Sequence, residues 1–275
     1  MIPMRKISVL TIARADLTML EPLLRASYGQ GFSIADELDC FPDPAPADWF
    51  WAQADEKAVG FLRHYEAGNN VSVAELYPLE AEVTRALLSH FKSHHRLAPD
   101  AQLRFDFRAD TLFLETVLSE LCTITEIRTT YRYSKPVERS NLEPVDSVSE
   151  DDYPHIFKIL GALKPFDLEQ LHAFAERGAL HVVRSGGVPV AAALTEQTGN
   201  QVLEIVALAT DATERQCGHA KTLMQRLEQT ANARAIEFDV VASNYAAIAL
   251  YESAGYRRLE DAVAYWCYTR WDAHD

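Results

Sequence analysis

The residues best suited to chemistry lie in the C-terminal half. The stretch 201 to 210 (QVLEIVALAT) is apolar on both faces apart from one carboxylate, Glu204. A carboxylate desolvated in such a strand is expected to have a raised pKa, closer to what a base needs near neutral pH. Glu196 on the preceding strand is a rival base, and a structural pairing of Glu204 with a buried arginine is the plainer alternative. Next comes Thr213-Glu214-Arg215-Gln216-Cys217-Gly218-His219-Ala220, a turn in which Gly218 and Ala220 let a ligand approach the backbone. A helix that starts there, just behind a buried strand, presents unpaired N–H groups and the positive end of a dipole, which suits a diphosphate. Asn244 is placed to cap a later helix, and Tyr251 within that helix is either a core aromatic or a working hydroxyl. His219 reads as a solvated loop histidine and Cys217 as small-residue packing. His90 and His94 are spaced i, i+4 with no third ligand placed nearby, which reads as a solvated face.

These residues need a framework of alternating strands and helices. Residues 153–163 and 167–177 read as short helices, and 180–184 with 188–195 as a hairpin around Ser185-Gly186-Gly187. After the Glu204 strand, residues 221–235 place Leu223, Met224, Leu227 and Ala231 on one helical stripe. A strand is expected at 237–243, a helix at 245–254 stopped by Gly255, and two closing strands at 256–259 and 262–269. The N-terminal half repeats this order more weakly, with a hairpin at 49–54 and 57–65, a strand at 70–77, a helix at 80–97, a strand at 102–108, a helix at 111–121 and a last strand at 126–134. Phe105-Asp106-Phe107 leads to Thr129-Thr130-Tyr131-Arg132-Tyr133 at nearly the distance at which Phe238-Asp239-Val240 leads to Ala264-Tyr265-Trp266-Cys267-Tyr268. That correspondence suggests two copies of one fold. The segment 135–152 (KPVERSNLEPVDSVSEDD) reads as the linker between them.

Composition narrows the class. With 48% hydrophobic and 24% charged residues the chain reads as ordinary globular protein, neither disordered nor fibrous. Lys and Arg total 26 against 40 Asp and Glu, a formal charge of −14, which disfavours a nucleic-acid partner. The four cysteines, Cys40, Cys122, Cys217 and Cys267, have no paired spacing, zinc motifs are absent, and reduced thiols in a cytoplasmic protein are expected. The start, MIPMRKISVL, lacks the pattern of a signal peptide, and no run is apolar enough for a membrane span. The acidic segment with Asp36, Glu37 and Asp39 is expected to be a surface loop rather than an amine-binding cleft.

The pattern Arg215-x-x-Gly218-x-Ala220, taken with the preceding strand, the following helix, the strand ending at Asn244 and Tyr251 on the last helix, resembles the pyrophosphate loop and its surroundings in the GNAT-type N-acetyltransferase superfamily. The resemblance covers about 142–270 and, more faintly and without the loop, about 5–134. It implies an α/β protein of two tandem GNAT-like domains, each a mixed central sheet flanked by helices. Residues 1–138 would form a degenerate domain and 139–275 a catalytic one. It further implies that acetyl-CoA is the acyl-donor cosubstrate. Leu208, Ala209 and Thr210 would pair with its pantetheine arm, Arg215, Gln216, Cys217, Gly218, His219, Ala220 and Lys221 would hold its diphosphate, and Asn244 would contact the arm. Glu204 stands before Arg215 at the spacing where the histone-acetylating branch keeps its general base, and Tyr251 matches the tyrosine that protonates the departing thiolate. The implied reaction is direct attack by a primary amine, on a small molecule or a peptide, in a monomer or homodimer. A non-catalytic acyl-CoA sensor or scaffold is the alternative. The chain departs from the pattern at Gln216, where glycine is frequent, at Cys217, and at Ala212, where proline is common. The N-terminal copy, with Pro78-Leu79-Glu80-Ala81-Glu82 after its strand, has no glycine nest and two carboxylates that would repel phosphate.

Overall fold

A computed structural model describes residues 7–12, 18–28, 47–66, 71–77, 80–94, 102–108, 113–138, 148–161, 163, 168–198 and 201–270. The chain divides into two compact units, Met1–Thr130 with Asp261–Asp275, and Tyr131–Glu260. This division does not follow a cut between residues 138 and 139. Two long strands cause the difference, because each passes from one unit into the other.

The first unit contains β1 (Ser8–Ile12), α1 (Glu21–Tyr28), β2 (Ala47–Ala54), β3 (Lys57–Glu66), β4 (Val71–Tyr77), α2 (Ala81–His94), β5 (Gln102–Arg108) and α3 (Phe113–Leu121). It also holds the first part of β6 (Thr123–Pro136) and most of β11 (Arg257–Arg270). Its sheet runs β1-β2-β3-β4-β5-β11-β6. In α2, Val83, Leu87, Leu88 and Phe91 repeat at helical spacing and pack on Phe50, Leu62, Leu103 and Phe105 of the strands. The strand β11 pairs antiparallel with β5 from Ala264↔Arg108 to Arg270↔Gln102, and its Cys267 is buried in that core.

The second unit contains α4 (Tyr153–Gly161), α5 (Leu168–Glu176), β7 (Leu180–Ser185), β8 (Val188–Thr198), β9 (Val202–Thr210), α6 (His219–Thr230), β10 (Ala235–Val241) and α7 (Tyr245–Ser253). Its sheet runs β6-β10-β9-β8-β7, with the start of β11 beside β6. The alanines of β8 let helices approach both faces closely. Ala191 and Ala193 pack with Leu223, Met224 and Leu227 of α6, while Ala192 and Leu194 pack with Ile156, Leu160 and Leu171 of α4 and α5. The β7–β8 hairpin turns through Gly186 (φ 58°) and Gly187 (φ 84°), the paired left-handed residues that a tight hairpin of this hand requires.

The element order β2-β3-β4-α2-β5-α3-β6 of the first half matches β7-β8-β9-α6-β10-α7-β11 of the second. The closing strands are exchanged: β11 lies beside β5, and β6 lies beside β10. Several boundaries differ from the sequence reading. The helix expected over 221–235 is α6 at His219–Thr230; Ala231 only caps it, and β10 begins at Ala235. The two expected closing strands are one, running through Glu260 and Asp261. The expected linker begins inside β6: Lys135 is in the strand and its Nζ donates to Glu228 at 2.7 Å and to the Ala254 carbonyl at 2.9 Å. Residues 139–147 of that linker lie outside the described residues, as do Cys40, Asp36, Glu37, Asp39, Pro78 and Leu79. No described helix is long and apolar enough to cross a membrane.

Candidate active site

In the second unit β9 and β10 run parallel and pair only through Ala235↔Val202, Ile236↔Leu203 and Glu237↔Glu204. Beyond Glu204 the two strands part, so Ile205–Thr210 and residues 238–241 have no ladder between them. The other side of β9 keeps its partner, β8, with a register shift between Leu194 and Thr195 that leaves Val206 as an extra residue. Such a bulge bends a strand and increases its twist, which turns the end of β9 away from β10. Leu208, Ala209 and Thr210 therefore line an open notch in the sheet while holding Ala193, Ala192 and Ala191 on the β8 side. The matching strands of the first unit, β4 and β5, stay paired through Glu75↔Asp106, leaving only Leu76 and Tyr77 of β4 beyond the ladder.

The chain leaves β9 through Asp211, whose carboxylate accepts from the Thr213 backbone N–H at 2.9 Å and from the Lys158 Nζ at 3.0 Å. Gln216 then takes φ 65° and Gly218 φ 86°, both left-handed, with Gly218 as the N-cap of α6. Left-handed residues within such a turn help gather successive backbone N–H groups into an anion-binding concavity. A Cβ at Gly218 would meet nothing within 4 Å, so the glycine is required by its φ and not by crowding. Arg215, Gln216, Cys217, Gly218 and Lys221 are exposed, and His219 and Ala220 half-buried. An open nest at the N-terminus of a 12-residue helix fits a diphosphate.

Glu204 lies in a row of acids. It faces Glu196 across β8 and Glu237 across β10 in direct register, on the sheet face whose next positions, Leu194 and Ala207, are covered by α4 and α5. Like charges directly opposite are unfavourable. Arg132 of β6 relieves them. Its Nε donates to Glu237 Oε2 at 2.8 Å, its Nη1 to Asp239 Oδ2 at 3.2 Å, and Nη1 and Nη2 reach the two oxygens of Glu204 at 3.5 Å. Ser134 donates to the other oxygen of Glu237 at 3.1 Å. Burial works against the Arg132 charge, but Glu204, Asp239 and Glu237 outweigh it and hold the guanidinium above its ordinary value. Glu204 is thus paired with an arginine, yet it is the most loosely held of the three acids.

Tyr251 approaches from the opposite face. It is buried in the cluster under α6 and α7, its ring centroid 4.1 Å from that of Phe238. Burial pushes its hydroxyl up to about 12. The structure therefore does not bring Glu204 and Tyr251 together on one side; it sets them on either side of the sheet where the strands part. Asn244 is the N-cap of α7, its Oδ1 accepting from the Ala247 N–H at 3.3 Å, and its side chain is exposed.

Arg132, Glu237 and Asp239 are not among the candidates named from the sequence. The alternation in Glu237-Phe238-Asp239-Val240, with Phe238 and Val240 in the core, was the available signal for two acids on one face. Arg132 had none, because it reaches this site from the other half of the chain. Of the histidines, His94 Nδ1 lies 2.8 Å from the His90 carbonyl and the two rings stack at 3.8 Å.

Residues 143–256 match the model of the Acetyltransferase (GNAT) family. A search of curated proteins finds no match. Among solved structures, the chain is similar to a GCN5-related N-acetyltransferase from Sphaerobacter thermophilus, with TM-score 0.70 and 15% identity over 98% of this chain and 97% of that one. It is also similar to a GNAT-family acetyltransferase from Colwellia psychrerythraea, with TM-score 0.55 and 15% identity over 95% and 99%. A tandem GNAT protein from the clavulanic acid biosynthesis pathway gives TM-score 0.60 and 12% identity over 96% and 98%. The matched segment encloses the notch, the nest and Glu204, and the mixed α/β fold is that of the GNAT acetyltransferases.

Proposed function

We propose that the chain is a tandem GNAT-like N-acetyltransferase whose second unit moves an acetyl group from acetyl-CoA to a primary amine. The observation that carries this reading is the parting of β9 and β10 after Glu204 and Glu237, directly ahead of the nest at Gln216 and Gly218. A pantetheine arm fits the notch as an added strand against Leu208, Ala209 and Thr210. The diphosphate fits the N–H groups of Arg215 to Lys221, and Asn244 presents its amide to the arm. Acetyl-CoA supplies the activated acyl group when bound.

The chain's own residues then divide the proton work. Glu204 takes a proton from the ammonium, directly or through a water, because a protonated amine has no lone pair with which to attack. Its loose 3.5 Å contacts with Arg132 leave carboxylate lone pairs to accept that proton. The Leu208 N–H stabilises the charge that develops on the carbonyl oxygen. Tyr251, protonated throughout the working range because burial raises its pKa to about 12, gives a proton to the leaving sulfur. The first half, whose β4 and β5 stay paired and whose α2 begins with Glu82 in its first turn, is a degenerate copy that binds no acetyl-CoA.

The ion pair between Arg132 and Glu204 favours a second reading, a non-catalytic acyl-CoA sensor or scaffold in which Glu204 is structural. A thiol-release screen with acetyl-CoA against a broad panel of amines separates the two. The enzyme reading expects release with at least one amine, lost in Glu204→Gln and in Tyr251→Phe while acetyl-CoA binding persists. Binding without release on any amine would support the sensor.

A further inference from the structure

The turn ahead of α6 carries donors that anion binding does not use. Glu214, Cys217 and His219 each offer one ligand atom, and these atoms all lie within 4.8 Å of one another. His219 Nε2 is 3.1 Å from Glu214 Oε2, while the Cys217 thiol reaches only a long contact of 3.6 Å to the Arg215 carbonyl. The left-handed turns at Gln216 and Gly218 fold the chain back so that three ligands from six residues converge. Thiolate, imidazole and carboxylate together are a zinc donor set, with bonds of about 2.3, 2.0 and 2.1 Å. Ligand atoms around one such tetrahedral ion lie roughly 3.3–3.6 Å apart by those bond lengths, so closure requires about an ångström of side-chain movement. Cys217 is exposed and the other two half-buried, which leaves both entry and room for that movement.

We propose that Glu214, Cys217 and His219 form a binding site for zinc or a similar borderline divalent cation, with three protein ligands and a fourth position open. Binding displaces the Cys217 thiol proton to solvent and forms bonds from Sγ, the imidazole nitrogen and a carboxylate oxygen. Magnesium and calcium, which take oxygen ligands, do not suit a sulfur and nitrogen pair. The ion would clip Glu214, before the turn, to His219, in the first turn of α6, and so hold the strained turn in shape. The test needs no acetyl-CoA and stands apart from the acyl-transfer reading.

The metal-free full chain is titrated with Zn2+ in competition with a chromophoric chelator, beside Cys217→Ser/His219→Ala, and alkylation of Cys217 is followed by peptide mass mapping. The wild type should hold one more equivalent of zinc than the double variant. With free zinc at ten times its dissociation constant, Cys217 alkylation in the wild type should slow roughly tenfold and recover on chelation. Glu214→Gln should weaken binding without abolishing it. Equal stoichiometry in wild type and double variant, or alkylation of wild-type Cys217 indifferent to zinc, overturns the proposal; the second readout holds even if the double variant misfolds.

Discussion

Replacing Arg132 by methionine tests the acidic row most sharply. The side chains involved are only partly exposed, Arg132 at 23%, Glu237 at 15%, Asp239 at 28% and Glu204 at 30%. Removing one partner of a fully buried pair costs about 3–5 kcal/mol, and exposed pairs are worth roughly 0–1 kcal/mol. This cluster lies between those limits and nearer the first, so Arg132→Met should destabilise the protein by about 2–3 kcal/mol. The cost arises mainly from Glu237 and Asp239, which keep their charges and lose their cation. Glu237→Gln in the Arg132→Met background should therefore recover part of the loss, giving a coupling of about 1–2 kcal/mol in a double-mutant cycle. Urea unfolding of the wild type, the two single variants and the double variant supplies the cycle. Additivity within about 0.5 kcal/mol, or an Arg132→Met protein as stable as the wild type, would show that Arg132 does not hold the acidic row together.

Three further outcomes follow from the geometry. Asp152 is buried, accepts from Arg184 Nη2 at 2.7 Å and from the Ser149 backbone N–H at 2.7 Å, and the Arg184 bonds hold its carboxyl well below the usual range. A depressed folded pKa gives stability that is whole above the unfolded value near 4 and fades as pH falls below it. Asp152→Asn should thus be less stable than the wild type at neutral pH, and the gap should narrow in urea unfolding at about pH 3; a gap constant with pH would contradict this. Gly218→Ala, with open space but φ 86° at that position, should lose about 1 kcal/mol by strain alone, and an unchanged urea midpoint would be inconsistent with the left-handed turn. Tyr251→Phe should lower kcat on the order of a hundredfold or more with acetyl-CoA affinity retained; unchanged turnover would remove the hydroxyl from the mechanism.

Much of the second unit was legible from local pattern. The Gly-Gly hairpin, the apolar β9 with its single carboxylate and the Leu223, Met224, Leu227 stripe each depend on neighbours in sequence, and each is where expected. The end of α6 falls earlier than its apolar pattern suggests, because Ala231 and Ala233 are buried and extend that pattern past the last helical turn. The destination of β6 was not legible. Residues 123–136 form one continuous strand pattern, and nothing local says that its end pairs with β10 instead of finishing its own half. Arg132 was hidden for that reason: pairing of Glu204 with an arginine is one of the two readings the strand allows, but nothing local names Arg132, whose Nη1 and Nη2 lie 3.5 Å from the Glu204 oxygens, as the partner. The parting of β9 and β10 was also hidden, since it arises from a register shift between β8 and β9 and from no residue that marks a break.

The proposed function requires that the nest ahead of α6 and the notch beside it hold acetyl-CoA. Titration calorimetry of the full chain with acetyl-CoA, beside a Gly218→Glu variant that puts a carboxylate where the diphosphate belongs, tests it most directly. Saturable heat with one equivalent per chain is expected for the wild type and none for the variant. No heat with the wild type, or equal binding by the two proteins, would contradict it.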